Sequence, residues 1–358
     1  MSNIVLATLI ETLSPHFALS KSRLSTLSCL IVGLVSGRTV NLSHLASLLP
    51  GEALHSSNYR RLQRFFQHVI LDQDRIALLA VKMLNLGRAK TLALDRTNWQ
   101  IGSTHVNILV LSIVTRRFRV PLLWSFMNHQ GNSNTDQRVA LVRRYLSLFD
   151  VSSIELVLAD REFIGKDWLD FLSENNIPFA IRLKGKLLFQ LESGCVTSLN
   201  TLVHGRRARK NTLVWSGRLQ GAHFKVCIAA RQLKDGEWLF IVTNAPCAKA
   251  ALNAYKKRWA IECLFGDIKT RGFNMEDTRL SCHKKLSTLL CIVTLATIWS
   301  YRCATTLMDR KAIKRKSHGR REKSWFRLGL DTLRNWITHK PDRASKAWRK
   351  NCPKRSIN

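Results

Sequence analysis

The stretch YKKRWAIECLFGDIKTRG carries the most distinctive set of polar residues in the chain. On a helix of about 100° per residue, four of them fall within an arc of about 60°: Tyr255, Arg258, Glu262 and Lys269. An apolar stripe lies beside this arc and is expected to pack on a sheet, while Asp267 is expected to point away. A solvated face with salt bridges is the ordinary alternative, although an arginine four residues before a glutamate is the less favourable order for helix stability. Glu262 is therefore a candidate for chemistry.

Two further carboxylates stand at the ends of apolar runs that are typical of buried strands. Asp95 closes TLALD and Asp160 closes IELVLAD, in a chain with 24 Asp and Glu against 57 Lys and Arg. Taken alone, an aspartate at a strand end is more often a cap or turn residue. Together with Glu262, the pair suggests three carboxylates in one site, which cannot all stay ionised unless a cation offsets their repulsion.

Carboxylate oxygens are the ligands that Mg²⁺ and Mn²⁺ prefer. Two such ions, about 3.5–4 Å apart, would serve an in-line phosphoryl transfer by activating the attacking oxygen and stabilising the leaving oxygen. The predicted catalytic residues, which are also the predicted metal ligands, are Asp95, Asp160 and Glu262. The residues predicted to hold DNA phosphates beside them, without reading bases, are Tyr255, Arg258 and Lys269.

The net charge of +33 makes nucleic acid the expected partner, because so basic a chain repels itself unless a polyanion screens it. Nine cysteines without a C-x-x-C pair or zinc spacing predict neither a disulfide framework nor a structural zinc, which fits a reducing cytoplasm. The start, MSNIVLATLIETL, lacks the features of a secretory signal. The apolar segment Leu286–Tyr301 is shorter than the roughly 20 residues that cross a bilayer and is expected to be a buried helix. We expect a cytoplasmic protein without membrane contact.

Residues 1–88 have a helical pattern of apolar positions and are expected to form an all-helical N-terminal domain that binds DNA. In SSNYRRLQRFFQHVI, Ser57 is a plausible N-cap and the apolar side chains share one face. The opposite face holds the predicted N-terminal DNA contacts, Arg60, Arg61 and Arg64. A solvated amphipathic helix remains an equal alternative for this segment taken alone.

From Lys90 the apolar period changes to that of strands. Three consecutive strand-like runs, followed by helix, strand, helix and strand, predict an α/β sheet of mixed direction. Residues 185–246 are expected to form a β-rich insertion, because short strand-like runs alternate there with Gly-containing turns. Residues 307–358 are expected to form a basic helical C-terminal region. From Asp309 onward it has 17 Lys and Arg against four Asp and Glu, and its interleaved aromatics suit contact with DNA.

These motifs resemble those of the DDE transposases of bacterial insertion sequences, in the subgroup with the signature Tyr-x2-Arg-x3-Glu-x6-Lys. The signature is complete here, and LALDRTNW and LVLADREFIG are similar to the family segments that carry the two aspartates. The segment GRREKSWFRLGLDTL is similar to C-terminal sequences in the group. The resemblance covers about residues 40–335 and is most specific at the three carboxylates.

The resemblance implies a ribonuclease H-like catalytic domain over residues 89–306, with the aspartates on adjacent strands and the glutamate on a later helix. It also implies cut-and-paste transposition by a homodimer on DNA, with binding of terminal inverted repeats, metal-dependent nicking, a hairpin intermediate and joining to target DNA. In relatives a flipped base stacks on a tryptophan. The sequence does not assign that role to either Trp215 or Trp238.

Two other functions remain open at this point. One is a nuclease of the same fold that hydrolyses DNA without strand transfer, and joined products from an exposed 3′-hydroxyl end would distinguish a transposase from it. The other is a DNA-binding repressor derived from a transposase, against which the intact carboxylate triplet argues. A membrane protein is a more distant alternative.

Overall fold

The computed structural model describes residues 3–206, 211–219, 224–308, 313–317, 319 and 321–355. Its helices are, in chain order, α1 (Asn3–Leu13), α2 (Lys21–Gly37), α3 (Leu42–Ser47), α4 (His55–His68), α5 (Gln73–Met83), α6 (Thr135–Leu148), α7 (Lys166–Glu174), α8 (Leu199–Val203), α9 (Ala248–Tyr255), α10 (Trp259–Ile268), α11 (His283–Met308), α12 (Trp325–His339) and α13 (Pro341–Arg349). Its strands are β1 (Lys90–Ile101), β2 (Thr104–Val114), β3 (Arg119–Phe126), β4 (Ile154–Ala159), β5 (Phe179–Leu183), β6 (Leu188–Leu191), β7 (Val196–Ser198), β8 (Leu213–Leu219), β9 (Val226–Gln232) and β10 (Trp238–Thr243).

The described strands form one mixed sheet in the order β3-β2-β1-β4-β5-β10-β9-β8-β6-β7. Strands β1, β2 and β3 are antiparallel neighbours, whereas β4 runs parallel to both β1 and β5. The prediction of a mixed α/β sheet is therefore confirmed. The predicted insertion, residues 185–246, contributes β6 to β10, and it joins the sheet where β10 pairs antiparallel with β5. A single sheet thus carries both the first five strands and the later β-rich segment.

Helix α11 is the buried helix expected from the apolar segment near its centre, but it is longer than predicted. It has 26 residues, which is long enough to cross a membrane, so the argument from a short length is wrong. Its most apolar window is 94% buried inside the protein, where α11 packs against helices such as α2, α5 and α12. The hydroxyls of Thr294, Thr297 and Ser300 donate to carbonyls one turn earlier, so these polar groups are satisfied within the core.

The aromatic residues of the C-terminal region pack inside the protein, contrary to the expectation that they contact DNA. Trp325, Phe326 and Trp336 are buried on α12, and Trp348 is fully buried on α13. They recur at helical spacing, so each helix presents them on one apolar face to the core. The indole of Trp348 donates to Thr12 Oγ1 at 2.7 Å, which joins the C-terminal helices to α1.

The N-terminal helices are capped and docked by short polar contacts. Helix α4 begins at His55, and the Leu54 carbonyl accepts from the Asn58 amide at 3.0 Å, so the prediction of Ser57 as N-cap is wrong. Ser57 lies instead in the first turn. Arg38 ends α2 in the left-handed conformation, with φ of 55°, and its guanidinium donates to the Arg271 carbonyl at 2.9 Å. The N-terminal helices are thereby attached to the segment between α10 and α11.

If the C-terminal helices are part of the core, Trp348→Ala should lower the free energy of unfolding by about 3–5 kcal/mol, because a large buried ring leaves a cavity. Urea denaturation followed by circular dichroism measures this loss. The matched control is Trp259→Ala, which removes an indole that is 63% exposed and should change stability by about 0.5 kcal/mol or less. Equal effects of the two substitutions would contradict the burial of the C-terminal region.

Candidate active site

Asp95 and Asp160 lie side by side where the pairing between β1 and β4 ends. Asp160 directly follows β4, as predicted, but β1 continues to Ile101, so the prediction that Asp95 closes a strand is wrong. Strands β1 and β4 are parallel, and their last paired residues are Leu94 and Ala159, so each aspartate is the next residue along the chain after that pair. Each carboxylate accepts a hydrogen bond from the following backbone amide, Asp95 from Arg96 at 2.8 Å and Asp160 from Arg161 at 2.7 Å. The register of the sheet therefore brings together two carboxylates that are 65 positions apart in the sequence.

Glu262 is brought to these aspartates by α10. The polar residues of its segment do not lie on one continuous helix, since a 3-10 turn at Lys256–Arg258 separates α9 from α10. The expected apolar stripe is confirmed, because Ile261, Leu264 and Phe265 are buried and α10 packs on the sheet.

Asp267 does not point away from the packed side of α10, as the helical wheel suggested. It is 4% exposed, and its Oδ2 atom accepts from Arg119 Nε at 2.6 Å. Arg119, the first residue of β3, neutralises Asp267, so this buried acid has a charged partner inside the protein.

Arg258 joins two of the three carboxylates. Its Nη1 atom lies 3.4 Å from Asp95 Oδ2, and its Nη2 atom donates to Glu262 Oε1. The side chain is 11% exposed. Burial lowers the pKa of this guanidinium, but Tyr255, Asp160, Glu262 and Asp95 raise it more, so the net pKa is raised. The cation is firmly held among the acids.

The side chains of Tyr255 and Lys269 are both held by hydrogen bonds to backbone carbonyls. The buried Tyr255 hydroxyl donates to the Ala159 carbonyl at 3.2 Å, and burial raises its pKa, so it stays a neutral donor. Lys269 Nζ donates to the Asn98 carbonyl at 3.0 Å, pairs with Glu276 at 2.9 Å and lies 5.5 Å from the centre of the Trp99 ring. Both side chains have partners within the protein, so their expected contacts with DNA phosphates remain predictions.

Burial raises the pKa of Asp95 to about 6. The Arg96 amide and Arg258 lower this pKa, while the neighbouring carboxylates of Glu162 and Asp160 raise it. Asp95 is thus a carboxylate whose negative charge is incompletely compensated by the protein.

Comparison with known proteins identifies the family of the chain. A model of the transposase DDE domain family matches residues 87–299, which is more than half of the 358-residue chain. This chain belongs to the DDE transposase family. The cryo-EM structure of a piggyBac transposase synaptic complex with hairpin DNA is similar to the transposase with a TM-score of 0.44 and 9% sequence identity, over 98% of this chain and 79% of that chain. Comparison with curated proteins gives no match.

Family membership makes the chain a metal-dependent DNA transposase, and the site has suitable donors. Carboxylate oxygens suit a divalent ion, and the raised pKa of buried Asp95 shows that a further cation would stabilise its ionised form. Among the described residues, no three His, Cys, Asp or Glu side chains are yet arranged around one point, since Arg258 lies between Asp95 and Glu262. A divalent ion held by Asp95 and Glu262 would therefore compete with the Arg258 guanidinium for their oxygens.

The structure adds residues to the transposase site that the sequence did not single out. Arg96 follows Asp95 and pairs at 3.4 Å with Glu162, which lies two residues after Asp160. This pair ties the two aspartate-bearing segments together just beyond the last paired residues of β1 and β4. The sequence LADRE places Glu162 two residues after Asp160, which was a signal in the sequence. The pairing of Glu162 with Arg96 could not be predicted from it.

Trp259 is a second addition to the site. It begins α10, three residues before Glu262, and is 63% exposed, whereas Trp215 and Trp238 are half-buried on β8 and β10. A large exposed indole is unusual on a protein surface and often indicates a contact with another molecule.

The predicted N-terminal contacts lie on α4, apart from the carboxylates in sequence and on a different element. Arg60 and Arg64 are exposed there. Arg61 differs, since it is half-buried and its guanidinium donates to the hydroxyls of Thr26 and Ser25 on α2 at 2.9 and 3.3 Å. Arg61 therefore anchors α4.

The raised pKa of Asp95 predicts a pH effect on stability in the metal-free transposase. Because the folded protein binds this proton more tightly than the unfolded chain, ionisation of Asp95 lowers the free energy of unfolding as pH rises from about 4 to about 6. Asp95→Asn should remove this loss and be more stable than wild type by roughly 1–3 kcal/mol at pH 7, with little difference near pH 4. Urea titrations with a chelator present at each pH measure it, and a pH-independent difference would contradict the pKa.

Proposed function

We propose that this chain is the cut-and-paste transposase of a bacterial insertion sequence, in the subgroup marked by Tyr255, Arg258, Glu262 and Lys269. The observation that carries the proposal is the joining of Asp95 and Glu262 through Arg258, beside Asp160 on the neighbouring strand. An antiparallel β1–β3 unit followed by the parallel strands β4 and β5 supports a ribonuclease H-like catalytic domain within residues 89–306.

Asp95, Asp160 and Glu262 would hold two Mg²⁺ or Mn²⁺ ions. Such ions would lower the pKa of an attacking water or hydroxyl and stabilise the departing 3′ oxygen of the DNA strand. The fold would keep the three carboxylates near one another and partly shielded from water. Because water screens them less, their attraction for cations would be stronger. In the metal-free protein Arg258 neutralises Asp95 and Glu262. When metal ions bind these carboxylates, Arg258 would be released to pair with a phosphate of the bound strand.

Tyr255 and Lys269 have positioning roles in this proposal. The Tyr255 hydroxyl holds the end of β4, and therefore the backbone from which Asp160 projects. Lys269 is held by the Asn98 carbonyl and Glu276 at the end of α10, and its ammonium would add positive potential for an approaching phosphate.

DNA is the proposed partner, both as the terminal inverted repeats of the element and as the target. The net charge of +33 is the physical support, since polyanionic DNA relieves the self-repulsion of the chain. Exposed Arg60 and Arg64 on α4 would contact the repeats. Cut-and-paste transposition joins two ends at once, so we propose a homodimer on DNA that acts in the bacterial cytoplasm.

Trp259 supports a hairpin step in the proposed reaction. In this step the freed 3′-hydroxyl attacks the opposite strand, which requires the duplex end to bend sharply and a base to leave the stack. An indole that is 63% exposed, one turn before Glu262 on α10, can stack on DNA bases at the place where the strands are cut.

Glu262→Gln tests the chemistry directly. The substitution removes a negatively charged ligand but keeps the shape of the side chain, so strand cleavage should fall by at least about a hundredfold while DNA affinity changes less than about threefold. The substrate is a supercoiled plasmid carrying the coding sequence with its native flanking DNA, with Mg²⁺ present. Equal loss of cleavage and DNA affinity would count against a catalytic role.

The same plasmid assay distinguishes a transposase from the two alternative functions. Joined products made from an exposed 3′-hydroxyl end require strand transfer, which a simple nuclease does not perform. Sequence-specific binding without any metal-dependent cleavage would instead identify a repressor.

Trp259→Ala should slow hairpin formation by about tenfold or more while the first nick proceeds at a near-normal rate, because stacking is needed only when the duplex end bends. Trp259→Phe should retain most of the activity, since it keeps an aromatic face. Denaturing gels separate the nicked and hairpin products. Equal slowing of nicking and hairpin formation would show that Trp259 has another role.

A further inference from the structure

Helix α4 is a ridge between two polar grooves. On one side a groove of about 910 Å³ separates it from α3 and from the segment before α11. On the other side a groove of about 500 Å³ separates it from α2. Arg64 lines both grooves, so the exposed face of α4 stands between them.

The exposed face of α4 carries side chains that can read base pairs. Its exposed arginines and glutamines at neighbouring helical positions are Arg60, Gln63, Arg64 and Gln67. Arginine donates two hydrogen bonds to the major-groove edge of guanine, and glutamine pairs in the same way with adenine. A surface that contacted only DNA phosphates would need only cationic side chains. The amides of Gln63 and Gln67 are therefore the residues that indicate contact with bases.

The ridge is firmly attached to the protein beneath it. The opposite face of α4 buries Leu62, Phe65 and Phe66 in the core. Arg61 donates to hydroxyls of α2, and the His55 ring hydrogen-bonds the Ser43 carbonyl on α3 at 2.9 Å. A reading helix must be held rigidly to discriminate between bases, and these contacts provide that rigidity.

Cations line the outer wall of each groove. Arg279 and Lys285 lie across the larger groove from α4, and Arg23 lies across the smaller one. Among the described residues that line the larger groove, one is acidic, Asp277. Its Oδ2 atom accepts a hydrogen bond from the Thr39 hydroxyl at 3.3 Å. A helix is about 10–12 Å wide and the major groove of DNA about 12 Å, so a duplex that receives α4 would place its two backbones over these cationic walls.

We propose that α4 enters the major groove of duplex DNA and reads its sequence through Gln63, Arg64 and Gln67, while Arg279 and Lys285 contact the backbone of one strand. This inference rests on the proposed function and deepens it, because it names the residues that select the DNA. Arg60 and Arg64 were expected to contact DNA from the sequence, but the two glutamines and the wall residues were not.

The segment between α10 and α11 connects the helix that carries Glu262 to the larger groove. Lys269, at the end of α10, is paired with Glu276, and the next residue, Asp277, already lines the groove. Arg38 also fixes this segment to the N-terminal helices through the Arg271 carbonyl. We therefore expect DNA read by α4 to continue toward the carboxylates, as is required for cleavage at a fixed distance from a recognised sequence.

The experiment is selection of bound duplexes from a random-sequence library by the full-length protein, followed by affinity measurement on the selected sequence. Wild type should enrich one motif. Gln63→Ala/Gln67→Ala should lose sequence information at a few adjacent base pairs and bind the selected duplex about tenfold or more weakly, with unchanged affinity for unselected duplex.

Arg279→Ala/Lys285→Ala should enrich the wild-type motif yet bind every duplex more weakly, and its slope of log affinity against log salt should fall by about two. Lys234→Ala, at an exposed lysine in the turn between β9 and β10, is the matched control and should leave both motif and salt slope nearly unchanged. Melting temperatures of all variants should equal that of wild type, since each substituted side chain is at least partly exposed.

Enrichment of an unaltered motif, with unaltered affinity, by the double-glutamine variant would overturn the inference. Failure of wild type to enrich any motif would overturn it as well. Either result leaves the proposed function testable, because metal-dependent cleavage and joining of the plasmid by wild type, lost in Glu262→Gln, do not depend on which residues read the sequence.

Discussion

The constraint on which the structure depends is the placement of three carboxylates, Asp95, Asp160 and Glu262, around the largely buried guanidinium of Arg258. Like charges so arranged repel one another, and burial strengthens the repulsion because little water is present to screen it. Arg258 offsets part of this repulsion by bridging Asp95 and Glu262. The compensation is incomplete at Asp95, because burial keeps its pKa raised to about 6. A divalent ion would supply the additional positive charge that favours the ionised carboxylate.

The rest of the fold holds this unfavourable arrangement in place. Parallel pairing of β1 and β4 fixes the two aspartates in register, and α10 packs on the sheet to bring Glu262 beside them. The long helix α11 and the C-terminal helices bury a large apolar core, whose stability outweighs the cost of the site. The segment from α10 to α11 then joins the carboxylates to the N-terminal helices that we propose select the DNA.

The mixed sheet could be predicted from the change from a helical to a strand period, and acids at the ends of apolar runs singled out the aspartates that the structure places near Arg258. Local patterns do not reveal what covers a surface. Asp267 is neutralised by Arg119, 148 positions earlier, and the aromatics around Trp348 are covered by α1 and α11. The same limit explains why Arg61 was expected on DNA although α2 holds it, and why exposed Trp259 was not singled out.

The most direct test of the central claim is a count of Mn²⁺ ions bound to the DNA complex by electron paramagnetic resonance, in wild type and in single variants at Asp95, Asp160 and Glu262. The account predicts that wild type binds ions above the background of DNA alone and that each variant loses at least one of them. A variant with Asp235→Asn, in an exposed turn, should bind as wild type does. Unchanged binding in all three site variants would contradict a shared metal site.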